Sequence, residues 1–326
     1  MKPSIKTIAE RSGVSKTTVS FVLNGRGEEK NISAETQQRV LDTARQLNYK
    51  PNHLARSLSL GRSFTIGFIV PDISNPFFGK IARLVEHYAE LKGYSVMVAS
   101  TDESIQKEQK LIEAFNSRQI DGIILAPASN TAQKQASIPC VNFDRVYPDQ
   151  NLGYITINNK ETAAILTQKL IDKGHQKIAL VSLSSFLPNI KERISGYKEA
   201  LVKNQIPFDE EIIIEIDESN KKESVTKHLS QLLKKEKPPT AFLFLNNVLA
   251  AEGIWGVNKY FSHLVKKLDF GAFDNLDVFD YAQPTVISAL QPSDDIAKLC
   301  VEMLIAQIEK NIVEKGISLA TTIIDR

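Results

Sequence analysis

Apolar positions along the chain follow two rhythms, and the change from one to the other falls near Arg62. Before it they recur at helical spacing in short bursts: Ile5, Ile8 and Ala9, then Val19, Val22 and Leu23, then Val40, Leu41, Ala44 and Leu47. Ser4, Ser15 and Ser33 precede these stripes, where a hydroxyl can accept from the first free amides of a helix. Gly13 supplies the left-handed or tight backbone that a turn between the first two helices needs. Ala9 is small where those helices must cross, and Val14 plugs the turn.

After Arg62 continuous apolar runs alternate with amphipathic stretches. TIGFIV precedes a helix near 79–92, YSVMVAS a helix near 104–117, and DGIILAP and IPCVNFD close a first half. The alternation restarts after Asn158: a helix near 161–173, KIALVSL, a helix near 190–204, EIIIEI, a helix near 221–235, TAFLFLN and a helix near 248–260. DFGAFD and TVISALQ come next, then a helix near 294–310, and TTIID ends the chain. Strands apolar on both faces, separated by helices, predict parallel sheets covered on both sides.

A helical headpiece before a large α/β domain raises the question of what the headpiece does. Two helices joined by a short Gly-containing turn form a helix-turn-helix, whose second helix enters the major groove of DNA. Lys16, Thr17, Thr18, Ser20 and Phe21 lie on the outward face of that second helix, with Lys16 and Thr17 at its base-contacting N-terminal end. Ser15, Ser20, Asn24 and Tyr49 suit phosphate or sugar contacts, and Lys6 is counted among the DNA-binding residues. Charge agrees with this division. Residues 1–62 carry 11 Lys/Arg against 5 Asp/Glu, whereas the rest carries 29 against 33, so a polyanion is expected at one end only.

Pro51 ends the third headpiece helix, and Asn52 can cap a short helix over 53–60 closed by Gly61. Such a segment is shorter than the roughly 12–15 residues that an isolated helix needs in water. Its apolar stripe, Leu54 and Leu58, packs either on the large domain or against DNA and a second copy of itself.

The motifs TIAERSGVSKTTVSFVLNG and LNYKPNHLARSLSLGRSFTIGFIVPDISNPFF resemble the lactose-repressor (LacI/GalR) family of bacterial transcription regulators over essentially the whole chain. Within it, GRGEEKNIS and KTTVSF look like the catabolite repressor/activator, fructose-repressor-like branch. The resemblance implies an N-terminal all-α headpiece and an α/β two-lobed, periplasmic-binding-protein-like (type I) effector domain with parallel sheets. The expected domains are a headpiece at 1–50, a hinge helix at 51–61 and an effector-binding and dimerisation domain at 62–326. Lobe one would comprise about 62–157 and 288–317, and lobe two about 158–287 and 318–326. In the family a leucine at the position of Leu58 wedges into the minor groove, while an alanine matching Ala55 permits close approach. Asn52, Ala55 and Leu58 therefore join the expected DNA contacts. Phe21 departs from the arginine commonest at its position, so no operator sequence carries over.

Ligands of open α/β sheets bind beyond the carboxyl ends of the strands. That rule and the resemblance together select Asp72, Asn75, Phe77, Phe78, Arg145, Arg193, Asn246 and Asp274 as effector-binding candidates, with Arg193 carried by an R-x-x-G motif. Polar groups beside aromatic faces suit a sugar, and paired arginines are compatible with a sugar phosphate. Glu218 stands where many members place a stacking aromatic.

Other functions find little support. No nucleotide-binding, hydrolase or zinc-protease motif is present, and five histidines scattered at 53, 87, 175, 228 and 263 lack metal-ligand spacing. No enzyme activity, cofactor or metal is expected. Cys140 and Cys300 sit in apolar runs and read as free buried thiols, Trp255 as packing and His175 as a helix-end residue. No apolar run reaches a membrane span, MKPSIKTIAE lacks a signal segment, and no leucine heptad tail follows the last strand. The expectation is a cytoplasmic, sugar- or sugar-phosphate-controlled repressor, acting as a homodimer on a pseudo-palindromic double-stranded DNA operator.

Overall fold

The computed structural model describes residues 3–49, 61–128, 138–146, 153–183, 186–216, 220–310 and 316–326. It divides into two compact units, 1–63 and 64–326. The expected hinge contacts Asn52, Ala55 and Leu58, and Glu218, lie outside the described residues.

In the first unit α1 (Ile5–Ser12), α2 (Lys16–Leu23) and α3 (Ala34–Gln46) form the headpiece. Each begins as its serine dictates. Ser4, Ser15 and Ser33 accept from the amides of Thr7, Thr18 and Thr36 at 3.2, 3.0 and 3.3 Å. Gly13 closes α1 at φ +69°, a conformation a β-carbon disfavours. Ile8, Ala9, Val19, Val22, Val40 and Ala44 are buried together, with Val14, Leu41 and Leu47 packed around them. The helical stripes thus converge on one small core.

The second unit holds two six-stranded sheets. The first runs in the order β11–β5–β4–β3–β1–β2, all neighbours parallel. Its strands are β1 (Thr65–Val70), β2 (Ser95–Ser100), β3 (Gly122–Leu125), β4 (Cys140–Phe143), β5 (Gly153–Ile157) and β11 (Ile317–Leu319). The second runs β12–β10–β9–β8–β6–β7, built from β6 (Ile178–Ser182), β7 (Ile213–Glu215), β8 (Ala241–Phe244), β9 (Asp269–Phe273), β10 (Thr285–Leu290) and β12 (Thr322–Ile324). The crossover helices are α4 (Pro76–Leu91), α5 (Ile105–Ser117), α6 (Asn159–Asp172), α7 (Pro188–Lys203), α8 (Lys221–Leu233), α9 (Asn247–Tyr260) and α10 (Ser293–Lys310). One buried cluster crosses both lobes, from Ile66, Phe68 and Phe143 to Leu180, Tyr197 and Leu243.

Several expectations need correction. GYITI is a strand, β5, that the alternation of runs and helices did not reveal; its inward residues alternate with half-buried ones because β5 lies beside the short edge strand β11. The chain leaves the second sheet after Leu290, so 288–290 belong with lobe two. The C-terminal stretch divides: Ile317–Leu319 extends the first sheet, and Thr322–Ile324 pairs antiparallel with β10 in the second. Residues 318–319 therefore lie in lobe one, and the second sheet is mixed. In EIIIEI the first two residues belong to a 3-10 turn, Glu210–Ile212, with β7 following. Trp255 lies at the surface, 36% exposed, beside Lys222 and Lys259, whose Nζ atoms are 4.0 and 4.7 Å from the ring centroid.

His175 ties elements together: its ring nitrogens bond Thr240 Oγ1 at 2.8 Å and Asp269 Oδ2 at 2.9 Å. Cys140 and Cys300 are both buried and free. Burial pushes the Cys140 thiol up to about 12, so it stays protonated. Among the described residues no helix is long and apolar enough to cross a membrane, and no cluster of His, Cys, Asp and Glu could hold a metal.

Candidate functional site

The headpiece presents α2 as a reading helix. With 3.6 residues per turn, Thr17, Ser20, Phe21 and Asn24 share the face opposite Val19 and Val22. Lys6, Lys16 and Thr17 are exposed, whereas Ser20, Phe21 and Asn24 are half-buried. The Asn24 amide donates to Ser20 Oγ at 3.4 Å, and the hydroxyls of Ser15 and Thr18 lie 2.9 Å apart in the cap. Tyr49 packs against the headpiece core, so its ring has a structural task besides any contact with a phosphate.

In the larger unit a closed cleft lies between the lobes, where three helices begin. The N-termini of α4, α7 and α9 follow β1, β6 and β8, and each brings residues to the cleft. Asn75 caps α4, accepting from the Phe77 amide at 3.0 Å, and Asn246 caps α9, accepting from Val248 N at 2.8 Å. Asp144 and Asp274 follow β4 and β9, at φ +62° and +64°. Left-handed backbone at both strand ends turns these short acidic side chains toward the space between the sheets, a conformation Asp tolerates better than most residues.

Seven of the eight expected effector residues line this cleft: Asn75, Phe77, Phe78, Arg145, Arg193, Asn246 and Asp274. Asp72 does not. Its Oδ1 serves the turn after β1, accepting from Ser74 N at 2.8 Å and Ser74 Oγ at 2.6 Å. Asp144, Asn189 and Gln291 also line the cleft. The signal for Asp144 was its place beside Arg145 at the end of β4, and for Asn189 the N-terminal turn of the helix after β6.

Arg193 is the buried centre. Its guanidinium donates to Asn159 Oδ1 at 2.8 Å and the Leu245 carbonyl at 2.7 Å, and it lies 4.0 Å above the Phe273 ring. Burial lowers its pKa, partly offset by Asp144 and Asp274, but a guanidinium stays charged. Arg145 donates to both oxygens of Glu103, at 2.6 and 2.7 Å, and to the Pro127 carbonyl at 3.1 Å. Burial drives the Asp274 carboxyl up to about 6, against the opposing pull of Arg193 and a bond from Gln291.

The R-x-x-G spacing now has a physical reason. A β-carbon on Gly196 would stand 1.9 Å from the Lys160 carbonyl oxygen. Only glycine lets α7 lie this close to α6, and the closeness brings Arg193 within reach of Asn159 at the start of α6.

Direct bonds cross between the lobes. Asn247 Nδ2 donates to Asn75 Oδ1 at 3.1 Å, and Asn189 Nδ2 to the Asp144 carboxylate at 3.2 and 3.3 Å. The free space left is about 30 Å³, roughly one water's share of liquid volume. A wider recess of about 330 Å³ adjoins it past Asp274 and Gln291, lined also by Lys80, Asn275 and Asp277.

A helix-turn-helix unit joined in one chain to a two-lobed α/β domain with a polar interlobe cleft defines an effector-regulated DNA-binding protein. Residues 63–294 match the family described as periplasmic binding proteins and sugar binding domain of LacI family, and residues 4–52 match bacterial regulatory proteins, lacI family. The chain belongs to the LacI family; it is a transcriptional regulator and not an enzyme. Catabolite control protein A of Priestia megaterium is 30% identical over 97% of this chain and 96% of its own length. The ribose operon repressor of Halalkalibacterium halodurans is 32% identical over 94% and 91%. The lac repressor dimer bound to operator and an anti-inducer, 21% identical, covers all of this chain and 98% of its own with a TM-score of 0.85, and shows the shared fold.

Proposed function

We propose that the chain is a repressor that binds a pseudo-palindromic operator as a homodimer through residues 4–49 and the segment around Asn52, Ala55 and Leu58, in the cytoplasm where its DNA lies. A two-fold protein matches two half-sites. The observation that carries the effector side of this reading is the convergence of Arg193, Asp144, Asp274, Asn189 and Asn246 between the lobes, beside Phe77 and Phe78.

The balance of charge favours a neutral, polyhydroxylated sugar over a phosphorylated one. Glu103 occupies Arg145, and Asp144 and Asp274 both lie near Arg193. A phosphate would meet two acidic side chains, Asp144 and Asp274, and two arginines whose donors already serve Glu103, backbone carbonyls and an amide oxygen. Sugar hydroxyls, which donate and accept, suit carboxylates and amides together.

Entry of a sugar requires the lobes to part, since the cleft is filled by its own side chains. The effector thus replaces the Asn247–Asn75 and Asn189–Asp144 bonds with its own, and its differential contact with open and closed lobes shifts operator affinity.

The test has two stages. Selection from random duplexes with the full-length protein should enrich a two-fold symmetric sequence bound in a salt-sensitive manner. Thermal-shift screening of neutral sugars and sugar phosphates should then find a stabiliser that changes affinity for that sequence, and Arg193→Ala should abolish the change while leaving a folded dimer. Absence of an enriched sequence sinks the DNA reading. A stabilising sugar whose effect survives in Arg193→Ala sinks the site.

A further inference from the structure

Phe21 is a large aromatic side chain that the headpiece does not use for its core. The buried set is Ile8, Ala9, Val19, Val22, Val40 and Ala44, and the partly buried residues packed on it include Val14 and Leu23 on either side of Phe21 in the chain. Phe21 instead stands on the outer face of α2 with Thr17 one turn before it, half-buried.

What covers part of its ring is a cationic turn. The connection from α2 to α3 folds back: the Arg26 amide donates to the Phe21 carbonyl at 2.9 Å, and the Ile32 amide to Gly27 O at 2.9 Å. Gln37 on α3 fixes the far end, donating to the Ile32 carbonyl at 2.8 Å. This arrangement sets Arg26 Cζ 5.7 Å and Lys30 Nζ 5.6 Å from the Phe21 ring centroid. Glu29 holds both cations, accepting from Arg26 Nε and Nη2 at 2.8 and 2.7 Å and lying 3.3 Å from Lys30 Nζ. The ring is therefore buttressed by cations that favour its π-face.

A phenyl ring has no donor or acceptor for a base edge. In the major groove the thymine C5-methyl group is the apolar feature that distinguishes one base pair from the others. We infer that Phe21 reads a thymine methyl group in each half-site, its ring braced by the Arg26–Glu29–Lys30 clamp, which places two cations beside the same stretch of phosphate backbone. This specificity role rests on the proposed reading of residues 4–49 as a sequence-specific DNA reader.

The experiment uses the full-length protein and the duplex enriched by selection, in which each thymine of a half-site is replaced by deoxyuridine in turn. That exchange removes the methyl group and nothing else. One position per half-site should weaken binding about fourfold, and both symmetric positions together roughly fifteenfold. In Phe21→Ala the same exchange should have no effect, although Thr17 and every other α2 residue are unchanged. Repeating the selection with Phe21→Gln should replace thymine by adenine at that position, because glutamine pairs bidentately with the adenine edge. If no half-site thymine responds to loss of its methyl group in the wild-type protein, the inference is overturned, and that arm needs no variant to fold. Methyl sensitivity that persists in Phe21→Ala overturns it equally. A selection that enriches no sequence defeats the DNA-reading function itself and the inference with it, an outcome distinct from a good operator indifferent to deoxyuridine.

Discussion

Glu103 holds Arg145 through both carboxylate oxygens, at 2.6 and 2.7 Å, across 42 residues of chain. Glu103 follows β2 in left-handed backbone at φ +57°, directly after Asp102 at +51°, and that double turn brings an acid from one strand end to the arginine beyond another. The pair is largely sheltered, with 6% of the arginine and 22% of the glutamate side chain exposed. Glu103→Gln leaves a buried guanidinium without its main counter-charge. Loss of a buried partner costs on the order of 3 kcal/mol, so the melting temperature should fall by several degrees. Inorganic phosphate should raise the melting temperature of this variant more than that of the wild type. Equal responses would show that Arg145 does not face the ligand space.

Gly196→Ala tests the close approach of α6 and α7. The added methyl group meets a backbone carbonyl, which cannot rotate away as a side chain could. The helices must separate, at a cost of about 2–3 kcal/mol or more, and Arg193 then loses Asn159. Denaturant titration should show the lost stability, and sugar binding should weaken beyond what the reduced folded fraction explains. An unchanged midpoint would remove Gly196 from this role.

The Asp274 carboxyl gives the larger unit a pH dependence. Its folded pKa is raised by burial to about 6, above the ordinary 3.8. Its stabilising contribution is therefore complete below about 3.8 and is lost as pH rises through about 6. The difference is on the order of 3 kcal/mol. Arg193, Asp144 and Gln291 are the charged and polar groups that set it. Asp274→Asn should flatten the stability profile between pH 4 and about 6, measured by chemical denaturation against the wild type. A profile of unchanged slope would contradict the burial assigned to this group.

Ser15→Ala isolates the reading helix. The hydroxyl accepts from the Thr18 amide at the start of α2, and its loss should cost about 1 kcal/mol of headpiece stability. Operator affinity should fall, while the melting of the larger unit is unchanged because the two units are separately compact. A loss of stability in the larger unit would refute that independence.

Much of the architecture was legible because it follows from local chemistry. Three serines, a glycine and the stripes of Ile8, Val19 and Val40 specify the headpiece without reference to anything distant. The alternation of apolar runs and amphipathic helices specifies the parallel strands of both sheets, since a strand buried on both faces must be apolar throughout; the antiparallel edge strand Thr322–Ile324 lies outside that pattern. Strand ends then pointed to Asn75, Arg145, Asn246 and Asp274, which the fold gathers into one cleft.

Pairings across the chain were not legible in this way. GYITI alternates too weakly to announce a strand, and becomes one where it is held between Cys140–Phe143 and Ile317–Leu319, the latter reaching it from the far end of the sequence. The last nine residues look like one strand and are divided between two sheets. Asp72 satisfies the strand-end rule, yet its Oδ1 is engaged within its own turn and it does not line the cleft. Two arginines near a cleft were legible as residue types, but that Glu103 bonds one of them was not. Sequence by itself determined the elements, their order and the outward residues of the reading helix, because caps, periodicity and propensity act over a few residues. Only the tertiary structure decided which carboxylate meets which arginine and that the cleft is latched shut. Those contacts join residues dozens to hundreds of positions apart, and their energies exist only once the two lobes are packed together.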